Sequence, residues 1–209
     1  QYSNKKLGVQ ARNLNIEDSF SGSINDQITK FKETINKAIE EYNNKHHYDG
    51  GRKTTAKKRF SEKIKDDTAY FKFIESLSKK IISKLEKEGK TINIVPSKKL
   101  SSSMAVTMNG NTITLMYNPE LVMADAERLD YIIAHELVHT VTSGAVNNVM
   151  DGTATKEEEE FVNSIWNIIK ELNDKEKFAW DFGFSLDTKE GRAKHIKEFI
   201  ANAMTNPNM

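Results

Sequence analysis

Apolar residues recur along this chain at two different periods, and the switch between them divides it. Ile24, Ile28, Phe31, Ile35, Ile39 and Tyr42 are spaced by three or four positions, which predicts an amphipathic helix of about 20 residues. A break follows from Asn43 to Lys53, around Gly50-Gly51, and then a basic helical stretch from about Thr55. Tyr70, Phe73, Ile74, Leu77, Ile81 and Leu85 restore the helical spacing until Gly89 stops it. From residue 91 the period shortens to two. Thr91-Ile92-Asn93-Ile94-Val95 reads as a strand ended by Pro96. Met104, Val106 and Met108 alternate, as do Ile113, Leu115 and Tyr117, with Asn109-Gly110-Asn111 between them as a hairpin signal. Asn118-Pro119 closes that strand. Helical spacing then returns: one helix starts within residues 119–126 and runs to about Ser143, and Gly144 and residues 147–155 read as a loop. Glu157 to Leu172 and Thr188 to Met204 are two more helices, with an irregular aromatic stretch from Trp180 to Leu186.

The first of these late helices carries the chemistry. His135-Glu136-Leu137-Val138-His139 places two imidazoles one turn apart on a helical face, within reach of one metal ion. Glu136 projects about 100° round from His135, beside a metal rather than on it. This arrangement suits one zinc ion, an activated water and a carboxylate that takes its proton. Two core histidines are the duller alternative, but that would bury an unpaired Glu between them.

A catalytic zinc needs a third protein ligand and an open position. His139 is followed by Thr140-Val141-Thr142-Ser143-Gly144-Ala145, so no nearby third histidine extends the motif. The last helix offers His195, Glu198 and Asn202 on a stripe beside the apolar face of Ile196, Phe199, Ile200, Ala203 and Met204. Glu198 is the candidate third ligand and His195 its competitor. Asn202, one turn on, is placed to orient a zinc histidine through its other ring nitrogen. Tyr117, Tyr131 and His195 are candidate donors to a transition-state oxyanion, with Tyr131 the most structural of them. Glu157 to Glu160 read as the acidic first turn of a helix, and His46 and His47 as exposed residues.

Composition narrows the setting. Hydrophobic residues make up 37% of the 209 and charged residues 29%, and no apolar run approaches the ~20 residues needed to span a bilayer. The absence of cysteine removes disulfides and thiolate ligands. No signal-peptide pattern stands at Gln1, and the chain reads as a piece of a longer protein. Net charge is +1 but unevenly divided: residues 1–100 hold 22 Lys and Arg against 13 Asp and Glu, and residues 101–209 hold 9 against 17. Solvated helix faces are the simplest account of the basic half; weak, salt-sensitive nucleic-acid binding through Lys53, Lys57, Lys58, Arg59, Lys63 and Lys65 is the functional one. Three regions follow: 1–22 an extended arm or linker, 23–90 a basic helical region, and 91–209 the domain bearing the histidines.

A strand, a hairpin, a His135–His139 helix and a later helix bearing Glu198 resemble the zincin metallopeptidases, and the downstream Glu is similar to their gluzincin branch. There an acidic residue follows the Glu by four positions; here Asn202 stands in that place, and the gap from His139 to Glu198 is longer. His135 to Thr142, with the tail Glu198-Phe199-Ile200-Ala201-Asn202-Ala203-Met204-Thr205-Asn206-Pro207, resembles zincin-like domains of bacteriophage and mobile-element multidomain proteins. The resemblance covers residues 91–209. It implies an α+β, zincin-like fold: a small, mostly antiparallel sheet with a hairpin, packed on the active-site helix and a C-terminal ligand helix, preceded by long helices. It implies a zinc metalloendopeptidase with Glu136 as catalytic base, His135, His139 and Glu198 as ligands, and Thr112–Tyr117 as the edge strand that receives an extended peptide. It also implies carriage within a larger virion-associated or delivered protein, in the virion or the bacterial host cytoplasm, with the other domains or virion proteins as partners. The rival readings are a virion structural or cargo protein, and a nucleic-acid-binding module whose zinc site is structural or vestigial. The intact Glu136 argues against both, because a structural site has no need of that carboxylate.

Overall fold

The structure is a computed structural model that describes residues 20–46, 68–174 and 182–206, with the side chains of residues 42–46, 68 and 174 left aside. The expected arm over residues 1–19, the basic stretch from Thr55, His46, His47, Tyr42 and Trp180 therefore lie outside the described residues or side chains. The described elements run α1 (Ile24–His46), α2 (Thr68–Lys87), β1 (Thr91–Pro96), β2 (Met104–Asn109), β3 (Thr112–Tyr117), α3 (Pro119–Ala124), a 3-10 turn (Ala126–Arg128), α4 (Leu129–Asp151), α5 (Lys156–Asp174) and α6 (Lys189–Thr205). This is an α+β architecture. The chain divides into two compact units, Gln1–Leu137 and Val138–Met209, and α4 runs from one into the other. None of the described helices is long and apolar enough to cross a membrane.

In the first unit, Ile24, Ile28, Phe31 and Ile35 are buried along α1, as their spacing predicts. Ser23 and Asp26 close the helix start reciprocally: Asp26 N donates to Ser23 Oγ at 3.1 Å and Ser23 N to Asp26 Oδ2 at 3.2 Å. On α2 the buried face is Ile74, Ile81, Ile82 and Leu85, and Phe73, expected inside, is 52% exposed. Ile82 takes that role because a face centred on 74, 81 and 85 includes position 82 and leaves 73 at its outer border.

The sheet is mixed, in the order β1-β3-β2. β2 and β3 form the expected antiparallel hairpin, closed at the Asn109–Thr112 pair by Gly110-Asn111. Gly110 adopts φ +57°, a conformation that a β-carbon would strain. β1 lies parallel to β3, with Ile92 beside Ile113 and Ile94 beside Leu115, all four buried. β3 is therefore the central strand, and its expected role as an edge strand for an incoming peptide is overturned: both of its edges are already hydrogen-bonded. Its inner face carries Ile113, Leu115 and Tyr117, and the Tyr117 ring packs on Phe31 of α1 at 4.8 Å between centroids.

Asn118 then turns the chain. Its side chain accepts from Glu120 N and Leu121 N, its amide donates to Leu100 O at 2.8 Å, and Pro119 opens α3. The helix expected to run from this region to Ser143 is divided. α3 ends at Asp125, whose N–H turns back to Leu121 O and Val122 O, and α4 begins afresh at Leu129. α4 also passes through Gly144 and the expected loop, reaching Asp151. Val146 in that stretch is fully buried, and its burial outweighs the ~1 kcal/mol that an internal glycine costs a helix.

The second unit holds the rest of α4 with α5 and α6. Thr155 and Glu158 form a capping box at the start of α5: Thr155 N donates to Glu158 Oε2 at 2.8 Å and Glu158 N to Thr155 Oγ1 at 3.3 Å. Those bonds, with one from Asn148 Nδ2 at 2.9 Å, hold the Glu158 carboxyl below its ordinary range, the Thr155 backbone bond contributing most. Thr188 caps α6 by accepting from Gly191 N at 3.0 Å. The preceding turn closes so tightly on Gly191 that a β-carbon there would overlap the Ser185 carbonyl oxygen and lie 2.7 Å from Thr188 Oγ1. Gly191→Ala should therefore cost about 1–3 kcal/mol through overpacking. Urea unfolding measures this, and an unchanged midpoint would show that the turn has room.

Candidate metal centre

Why His135 and His139 face one way follows from α4 alone. Both sit mid-helix, one turn apart, and Leu137 and Val138 between them are buried. Tyr131 lies one turn before His135, its ring centroid 6.0 Å from the imidazole, with the Arg128 guanidinium 5.0 Å from the Tyr131 ring. That stacking orders the Tyr131 ring beside His135. Glu136 is partly buried on the same helix.

α6 supplies the carboxylate. Its apolar residues Ala193, Ile196, Phe199, Ile200 and Ala201 are buried, while Ala203 and Met204, expected on the same face, are exposed. Glu198 stands at the border of the buried face, as its helical position predicts. Glu198 Oε1 lies 3.3 Å from His139 Nε2, with 11% of the His139 side chain and 33% of the Glu198 side chain exposed. One donor atom from each of His135, His139 and Glu198 lies within 4.8 Å of the others.

The donor set fits a small divalent cation. Two tetrahedral ligands at the usual ~2.1 Å from zinc stand about 3.4 Å apart, which is the separation His139 and Glu198 already have. Two neutral imidazoles and one carboxylate leave a zinc ion one net positive charge and one open position, the composition of a catalytic rather than a closed structural site.

The remaining sequence candidates fall elsewhere. Tyr117 has no exposed surface, and its ring packs on Phe31 in the first unit. His195 is 4% exposed, with its ring edge-on to Phe182 at 4.9 Å; it packs and does not join the donor cluster. Asn202 is buried, and its Nδ2 donates to the Glu198 carbonyl at 2.8 Å, a bond back along its own helix. That bond ties Asn202 to the residue whose carboxylate faces His139. Glu157 to Glu160 do form the first turn of α5.

Two contacts here had no sequence signal, because they join residues far apart in the chain. Lys197 Nζ donates to Asn147 Oδ1 at 2.6 Å, and Lys189 Nζ donates to the Met150 carbonyl at the end of α4. Burial pushes the Lys197 ammonium below its ordinary range, with Lys194 adding to the shift and Asp151 opposing it.

The sequence pattern of a family described as YgjP-like, metallopeptidase domain, matches residues 10–144. The chain belongs to the YgjP-like metallopeptidase family. The match spans both long helices, the sheet and the His135–His139 motif, and it stops before Glu198. The matched segment contains His135, Glu136 and His139, and Glu198 enters by its geometry alone. No curated protein and no solved structure matches the chain. A metallopeptidase with this donor cluster should carry close to one zinc per chain, and His135→Ala or His139→Ala should remove it. Metal analysis of the purified variants checks this; full zinc in both would dismiss the centre.

Proposed function

We propose that the chain is a zinc-dependent endopeptidase in which His135, His139 and Glu198 hold the metal and Glu136 is the catalytic base. The observation that carries this reading is the convergence of those three donor atoms within 4.8 Å in a chain of a metallopeptidase family. Zinc, when bound there, supplies a Lewis acid that acidifies water and polarises a peptide carbonyl.

The chain's own residues do the rest. Glu136, about 100° round α4 from His135, takes the proton of the attacking water and delivers it to the departing amine. Leu137 and Val138, buried on other faces of α4, fix the rotation of the helix that carries the two imidazoles. Asn202 restrains the backbone of Glu198 through its bond to that carbonyl. An extended substrate needs a strand edge, and with β3 enclosed the outer edge of β2 takes over that role. β1 is less suited, since Pro96 lacks an N–H.

We also read the domain as part of a larger phage or mobile-element protein; the support for this is the likeness of His135 to Thr142 and of the tail from Glu198 to Pro207. Glu136→Gln tests the chemistry, because it removes a base and not a ligand. Zinc content should stay at the parent level while peptide hydrolysis falls by about 10²–10⁴-fold. A variant that cleaves as fast as the parent would rule out this mechanism, and one that loses its zinc would place Glu136 on the metal.

A further inference from the structure

Lys197 and Glu198 are neighbours in sequence, yet they reach to different turns of α4. Glu198 Oε1 meets His139 at 3.3 Å, and Lys197 Nζ meets Asn147 at 2.6 Å. Asn147 lies two turns beyond His139, roughly 12 Å along the axis. A single contact between two helices leaves each free to pivot about it. A second contact two turns away removes that freedom. Lys189 adds a third, to the last-turn carbonyl of Met150, where a cation also complements the helix dipole.

We propose that Lys197, through Asn147, is a positioning residue for Glu198: it sets the offset of α6 on α4 and so holds the carboxylate opposite His139. Neither residue touches the donor atoms, and both lie outside the family-matched segment 10–144. The inference rests on the metal-ligand reading given under Proposed function.

Electrostatics and positioning predict opposite signs here. Lys197 carries a positive charge on the residue next to Glu198, so by electrostatics alone its removal can only tighten zinc binding. If Lys197 holds Glu198 in place, its removal should weaken it. The experiment is chelator competition on the zinc-loaded chain, following retained zinc against EDTA, with thermal unfolding of each variant alongside. Lys197→Met and Asn147→Ala should each release zinc at about 10-fold lower chelator, the scale of a lost outer contact, and the double variant should lose no more than either. Asn147→Asp, which keeps an acceptor for the ammonium, should retain zinc as the parent does.

Tighter zinc in Lys197→Met with no change in Asn147→Ala would overturn the proposal in favour of a charge effect alone. Lower melting temperatures with unchanged zinc retention would reduce the pair to a structural link and overturn it equally. If Lys197→Met fails to fold, Asn147→Ala, a change at an exposed helical position, decides by itself. Glu198→Ala separates this proposal from its premise. Parent-like zinc retention in Glu198→Ala would remove the ligand reading and the positioning role together. Zinc loss in Glu198→Ala with parent-like Lys197→Met and Asn147→Ala would remove the positioning role only.

Discussion

The approach of Glu198 to His139 is the constraint on which the rest of the site depends. A carboxylate 3.3 Å from an imidazole nitrogen is brought there by two helices, α4 and α6, that have no covalent reason to meet at that offset. His135 and His139 are aligned by one helix and need no further help. The proposed third donor has to be delivered across an interhelical gap, where an error of about 1 Å can undo a metal site. Several contacts of the second unit fix the position of α6. Ile196, Phe199, Ile200 and Ala201 bury the face of α6 that borders Glu198, Thr188 and Gly191 define where α6 begins, and Asn202 ties down the Glu198 carbonyl.

The first unit has a different task, which is to make α4 start where it does. The hairpin delivers Tyr117 and Asn118 to a buried corner. Asn118 caps α3 there while its amide holds Leu100. The short α3 and the 3-10 turn then carry the chain to Leu129. Packing of Phe31 against Tyr117 joins α1 to the same corner, so α1 is part of the sheet's core. The family pattern agrees, since it begins at residue 10 and ends just after the histidines.

Features with a local cause were legible in the sequence. The alternation of Met104, Val106, Met108 and of Ile113, Leu115, Tyr117, with Gly110 between, needed nothing else to define a hairpin, and the one-turn spacing of His135 and His139 defined a metal-binding face. The place of Glu198 at the edge of an apolar helical stripe was legible, and the structure sets its carboxylate 3.3 Å from His139. What escaped was set by partners distant in the chain. The parallel pairing of β1 with β3 makes β3 central, and no residue of β3 announces that. Gly144 looks like a stop until Val146 is seen to be buried. Asn118 looks like a strand end, and only its bonds show that it also starts a separate short helix. Tyr117 and His195, polar aromatics that suggested oxyanion donors, are packed against Phe31 and Phe182, a distinction that burial makes and spacing does not.

X-ray absorption at the zinc edge on the loaded chain, compared with its Glu198→Ala variant, tests the central claim most directly. The account predicts two imidazole nitrogens at about 2.0–2.1 Å and a carboxylate oxygen at about 2.0–2.2 Å in the parent, with the imidazole signals kept and the carboxylate signal lost in Glu198→Ala. Three imidazoles in the parent spectrum, or a first shell that Glu198→Ala leaves unchanged, would contradict it.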